Sequence, residues 1–182
     1  MWQGKILAAY HLKWQHADMV AIRKSNEEGH HRKFLVVVDD TPECGRAIVY
    51  AAKRAARTGG IVLLLYVIAP GNFQHWLGVE DIMRQEARDN ADTILAKAAE
   101  RVRAAARTEP ELVVREGHQS DEIIALIEED ADIAILVLAA GTSKEGPGPL
   151  VSSIAGKSAG TFPIPTTIVP GNLDDDALDA LA

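Results

Sequence analysis

Three continuous apolar runs of strand length, Phe34–Val38 (FLVVV), Ile61–Ile68 (IVLLLYVI) and Ile133–Leu138 (IAILVL), constrain the fold of this chain more than any other feature. A strand with one face in water alternates apolar and polar residues, so a run that is apolar at every position has both faces buried, as in a parallel sheet covered by helices. Between the runs the period changes. Thr41 reads as an N-cap with Pro42 at the first helical position, and Ala47, Ile48, Ala51, Ala52 and Ala55 share one face until Gly59-Gly60 stops the helix. From Val79 to Ala106, the residues Val79, Ile82, Met83, Ala87, Ala91, Ile94, Leu95, Ala98 and Val102 recur at spacings of three and four, which predicts a long amphipathic helix. Past Pro110, Glu111–Arg115 reads as a shorter, more polar strand. Gly117 turns the chain, and Ser120 caps a helix whose apolar face is Ile123, Ile124 and Ile127. A glycine-rich loop, Gly141 to Gly148, leads to a short helix around Leu150 to Ala159 and a last strand after Pro165.

Strands alternating with helices specify an α/β fold of three layers, a doubly wound five-stranded parallel sheet with right-handed crossovers. Ligands of such sheets bind beyond the carboxyl ends of the strands, where the strand order reverses. The loops at 39–42, 67–72, 116–120 and 139–153 are therefore the candidate site. The flanks lack this pattern. Residues 1–31 read as a flexible N-terminal extension, 32–171 as the domain and 172–182 as a loose acidic tail, and Met19 is an alternative start.

Charge and motif usage remove several function classes. Asp and Glu outnumber Lys and Arg by 26 to 19, and the basic residues, Arg101 among them, read as solvated helix faces, so nucleic acid is not an expected partner. The early apolar run Ile6–Tyr10 is too short for a secretory or membrane-spanning segment, and the lone Cys44 suits a reducing compartment; together these predict a cytoplasmic protein. Gly156-Lys157-Ser158 resembles the end of a P-loop, but Val151 stands where its first glycine belongs. No GxSxG, HExxH or paired-cysteine motif is present, so no catalytic residue and no metal site is expected. The six histidines read as solvated, with His118 nearest the predicted crevice. Cys44 falls in the first turn of a helix, where it either ionises easily or packs inward as a small apolar residue; packing is the commoner outcome. Trp76, flanked by Phe73 and Leu77, reads as a cap on the crevice or a partner contact.

The stretch Phe34 to Thr41, the helix around Ala47, Ala51 and Ala52, the strand Val62 to Ile68, Gly117, and the ending Ser153-Ile-Ala-Gly-Lys157 with Pro163 to Val169 together resemble the universal stress protein family over about 33–170. The resemblance implies an adenine nucleotide alpha hydrolase-like fold. It also implies a stress-response role with ATP or a related nucleotide held by Asp39, Thr41, Val67, Gly117, Ala139, Thr142, Ser152 and Ser153. The family's nucleotide-binding signature places three glycines ahead of a Ser or Thr. Anchored on Ser153, those glycine positions are Ala139, Thr142 and Ser152 here, and a Cβ obstructs the approach of backbone N–H groups to phosphate. A dimeric scaffold without nucleotide is therefore the alternative. An enzyme on the same sheet is a third reading, with Lys144 the one cation expected near the crevice. The last strand, Thr166 to Val169, lies between Pro165 and Pro170 and carries no charge, which predicts a sheet edge that pairs with a second copy of the chain.

Overall fold

A computed structural model of the chain describes residues 22–70, 80–144 and 146–182. Val79, the Phe73–Leu77 cluster, His11, His16, His75 and Met19 lie outside the described residues. Strands β1 (Lys33–Val37), β2 (Ile61–Ile68), β3 (Glu111–Glu116), β4 (Ile133–Ala140) and β5 (Thr166–Pro170) form one sheet in the order β3-β2-β1-β4-β5. Every neighbouring pair is parallel; Phe34, for instance, stands between Val62 and Ile135. The connecting helices are α1 (Cys44–Thr58), α2 (Glu80–Ala106), α3 (Gln119–Glu129) and α4 (Pro149–Ser152), followed by a π-helical turn (Ser153–Lys157) and a last helix, α5 (Asp175–Leu181).

The apolar runs build two cores because successive strand side chains point to opposite faces. Phe34, Val36 and Val38 pack with Val62, Leu64 and Val137 beneath α1, α2 and α5. Leu35 and Val37 pack with Leu63, Leu65, Leu136 and Leu138 beneath α3 and α4. Among the described residues no helix is long and apolar enough to cross a membrane.

Four local expectations are corrected. Ile82 and Met83, expected in the core, are 60% and 47% exposed. The 27 residues of α2 span about 40 Å, whereas an eight-residue strand such as β2 spans about 26 Å, so the first turns of the helix overhang the sheet. On α3 the buried residues are Ile123, Leu126 and Ile127, while Ile124 is exposed, and His118, not Ser120, is the N-cap residue. Part of the supposed flexible extension is docked: Arg23 Nη1 donates to the carbonyls of Ile127 (2.5 Å) and Asp130 (3.2 Å), and the Lys24 N–H donates to that of Ala131 (2.9 Å). These contacts satisfy carbonyls at the C-terminal end of α3 that no helical N–H reaches. Finally, the acidic stretch after Leu173 is not loose. Asp174 caps α5 by accepting from the Ala177 N–H (2.8 Å), Leu178 is fully buried against the α1 face, and Asp175 and Asp179 pair with Arg46, Lys53 and Arg57 of α1.

Candidate functional site

Strand order reverses between β1 and β4, which directs attention to the loops that follow these two strands. After β1, Asp39 Oδ1 accepts from both the Thr41 N–H (3.0 Å) and the Thr41 hydroxyl (2.5 Å), which folds the loop into a tight turn. That bond corrects the reading of Thr41 as a helix cap. Its hydroxyl is engaged two residues back, Pro42 lies in the turn, and α1 begins at Cys44 behind Glu43, whose side chain makes no capping bond.

A cleft of about 170 Å³ opens between this turn and α2, lined by Val38, Asp39, Asp40, Thr41, Cys44 and Ile48 on one side and Ile94, Lys97, Ala98 and Arg101 on the other. Its floor is apolar, its β1 side acidic and its α2 side basic. The Cys44 thiol is buried and 3.9 Å from the Val37 carbonyl. Burial pushes it up to about 11, against the lowering effect of a hydrogen bond with the Asp39 backbone, and the nearby Asp39 charge adds to the rise. The inward-packed reading of Cys44 therefore holds, and a reactive thiolate does not. Tyr66 of β2 is likewise raised, first by burial and then by Asp40 and Asp39. Its phenol stays protonated beside the acidic pair.

The loop after β4 folds on itself, with the Gly141 N–H donating to Pro147 (3.2 Å) and the Gly146 N–H to Ser143 (3.1 Å). Gly146 and Gly148 both sit at φ 97, in the left-handed half of the map where glycine is favoured. A Cβ on Gly141 would come within 2.8 Å of Glu43 Oε1, so the glycine here admits a carboxylate from the β1 loop.

The eight residues expected at the site all lie at or beyond the carboxyl ends of strands, on one edge of the sheet, but they do not share one cavity. Asp39 and Thr41 line the cleft. Val67 packs into the core on the α3 side, and Ala139 packs against the opposite core. Gly117 follows β3, two strands away from β1, with its N–H donating to Ile68 (3.0 Å). Thr142 is exposed in the loop, the Ser152 hydroxyl donates back to Gly148 (2.8 Å), and Ser153 opens the π-helical turn. Sequence reasoning missed Asp40, Glu43, Tyr66 and Lys97; Arg101 is exposed, as its reading on a solvated helix face expects, but it also lines the cleft. The usable signal was the spacing of Lys97 and Arg101, one turn apart beside the apolar stripe Ile94, Ala98 and Val102. Among the described residues no group of three or more His, Cys, Asp or Glu could hold a metal.

A family model described as the universal stress protein family matches residues 30–170. The universal stress protein UspA from Lactobacillus plantarum is similar in fold, with 16% identity, TM-score 0.61, and 76% of this chain and 97% of that chain covered. A universal stress protein solved in complex with cAMP covers 76% of this chain and 96% of its own, with 21% identity and TM-score 0.58. An Arabidopsis thaliana protein of the family, solved with AMP bound, covers 80% and 94%, with 16% identity and TM-score 0.53. A search of curated proteins by sequence gives no match.

Proposed function

Because the chain belongs to the universal stress protein family, we propose that it is a non-catalytic cytoplasmic stress-response module that takes an adenine nucleotide, ATP or a relative, at the carboxyl ends of its strands and acts as a homodimer. The observation that carries this reading is the cleft beside Asp39, which combines an apolar floor with two carboxylates and two cations. That set offers acceptors for sugar hydroxyls, charge for phosphate and apolar surface for a base. Structures of family members with cAMP and with AMP support the ligand class. The non-catalytic reading is supported by the sequence, which carries no catalytic motif, and by the burial of the Cys44 thiol, which keeps it protonated.

A nucleotide-free dimeric scaffold is the second reading. It is favoured by Glu43, whose carboxylate lies over Gly141 of the loop after β4, and by Ala139, Thr142 and Ser152 at the signature glycine positions. Mass spectrometry of the protein denatured directly after purification, paired with calorimetry against AMP, cAMP and ATP, separates the two. Release of an adenine nucleotide or saturable binding supports the first reading; absence of both leaves the scaffold.

A further inference from the structure

The geometry points to Lys97 and Arg101 of α2 as the anchor for a phosphate monoester, so that the ligand's anion is held by the crossover helix and not by the loop after β4. This inference rests on the reading of the site as a nucleotide site, and deepens it.

The two cations stand four residues apart on one face of α2 and line the same cleft. Neither makes a hydrogen bond or ion pair with any other described residue. Arg46, Lys53 and Arg57 of α1 pair with α5, Lys33 pairs with Glu111 and Asp130, and Arg115 pairs with Glu129. Arg54, Arg88, Arg107 and Lys144 share with Lys97 and Arg101 the lack of a partner for the side chain among the described residues, but only Lys97 and Arg101 of these six line the cleft.

Arg101 also lies on the first turn of α1, where a Cβ on Gly45 would collide with its guanidinium. A cation against the N-terminus of a 15-residue helix faces the positive end of the helix dipole, an arrangement that an anion between them relieves. No residue of that first turn supplies the anion, since it contains no acidic side chain. Glu43, just ahead of it, has its carboxylate beside Gly141, and Asp39 Oδ1 is engaged by Thr41.

The carboxylates on the opposite wall repel a bare anion, so the fitting ligand carries hydroxyl donors for Asp39 and Asp40 as well as the anion. A sugar phosphate has both, whether free or as part of a nucleotide. The cleft's 170 Å³ is below the roughly 300–1,000 Å³ of drug-sized sites, matching a phosphate and part of a sugar with the base outside it.

Calorimetry of the full chain with AMP, adenosine and ribose 5-phosphate tests the assignment, using the unmodified protein, the double variant Lys97→Met/Arg101→Met and the charge-preserving Arg101→Lys. The unmodified chain is expected to favour AMP over adenosine by about tenfold or more, as charge-assisted hydrogen bonds imply. The double variant should lose that preference, with AMP weakened about tenfold to hundredfold, while Arg101→Lys retains most of it. Should the double variant fail to fold by circular dichroism, the single changes Lys97→Gln and Arg101→Gln give the same reading. AMP bound equally well by the variants and the unmodified chain overturns the anchor and leaves the nucleotide reading standing. A tightening by Thr142→Gly with no loss in the Lys97 and Arg101 variants does the same, and returns the phosphate to the loop. Binding of ribose 5-phosphate without AMP, lost in the double variant, keeps the anchor and removes the nucleotide; binding of none of the three removes both.

Discussion

At Cys44 a single side chain ties the core to the cleft, because its thiol is buried under the turn that Asp39 and Thr41 make. Burial raises the folded thiol to about 11, whereas an unfolded cysteine titrates near about 8.5–9. Below that range both states hold the proton and the fold is unaffected. As pH rises, the unfolded thiol ionises first, so stability falls between about pH 9 and pH 11, by on the order of 2 kcal/mol. Urea midpoints at pH 8 and pH 10.5 should therefore diverge more for the natural chain than for Cys44→Ala. Equal slopes in the two proteins would show that the thiol is not shielded as the structure has it. Lys33 poses the opposite case. Burial alone would lower its ammonium, but hydrogen bonds to Glu111 (2.7 Å) and Asp130 (2.9 Å) outweigh that and hold it above its ordinary value. Lys33→Met leaves two carboxylates without their cation, and is expected to lower stability by roughly 1–3 kcal/mol in chemical denaturation; an unchanged midpoint would count against the network.

Among the elements, α5 shows what the sequence hides. Its composition is that of a solvated tail, and the partners that dock it, Arg46, Lys53 and Arg57, lie on α1 more than a hundred positions earlier. Only the fold brings them together. Leu178→Ala should cost about 2–4 kcal/mol, because the side chain is fully buried in the core shared by α1 and α2. Asp174→Ala should cost about 1 kcal/mol through loss of the cap. A loose tail would make both changes silent in thermal unfolding. Asp179 is held below its ordinary value, first by its hydrogen bond to Lys53, so its contribution to docking is present above the usual carboxylate range and fades as pH falls below it. The strands were legible for the converse reason. Burial on both faces leaves an uninterrupted apolar run that needs no partner to be recognised, and β2 is found where Ile61–Ile68 predicts it. The site was legible only in part. Asp39 and Thr41 follow directly from the end of a strand, whereas Lys97 and Arg101 depend on which turn of a 27-residue helix meets that strand, a distance that periodicity does not encode. Glu43 was missed because an acidic residue ahead of a helix reads as ordinary N-terminal charge, and nothing in the local sequence says that it reaches Gly141.

For the molecule as a whole, the strand order leaves two edges, β3 and β5, and they differ in what they offer a partner. On β3 the charged residues Glu111, Arg115 and Glu116 blunt the edge, with Arg115 further tied to Glu129. The other edge, β5, has no charged residue, and its Ile168 is 38% exposed. We therefore place the proposed homodimer on β5, with two copies of Thr166–Val169 meeting antiparallel about a two-fold axis, so that each satisfies the other's unpaired backbone groups. Successive residues of a parallel strand direct their backbone groups to opposite sides, so of Thr167 and Ile168 one faces β4 and the other faces out. Proline at the outward position removes a donor from the interface alone, and proline at the inward position removes one from the sheet. One of Thr167→Pro and Ile168→Pro should accordingly yield a folded monomer in multi-angle light scattering, while the other loses stability in thermal unfolding. A natural chain that is monomeric at tens of micromolar, or two folded proline variants that both remain dimeric, would remove β5 from consideration and leave the exposed overhang of α2 around Ile82 and Met83 as the next surface to test.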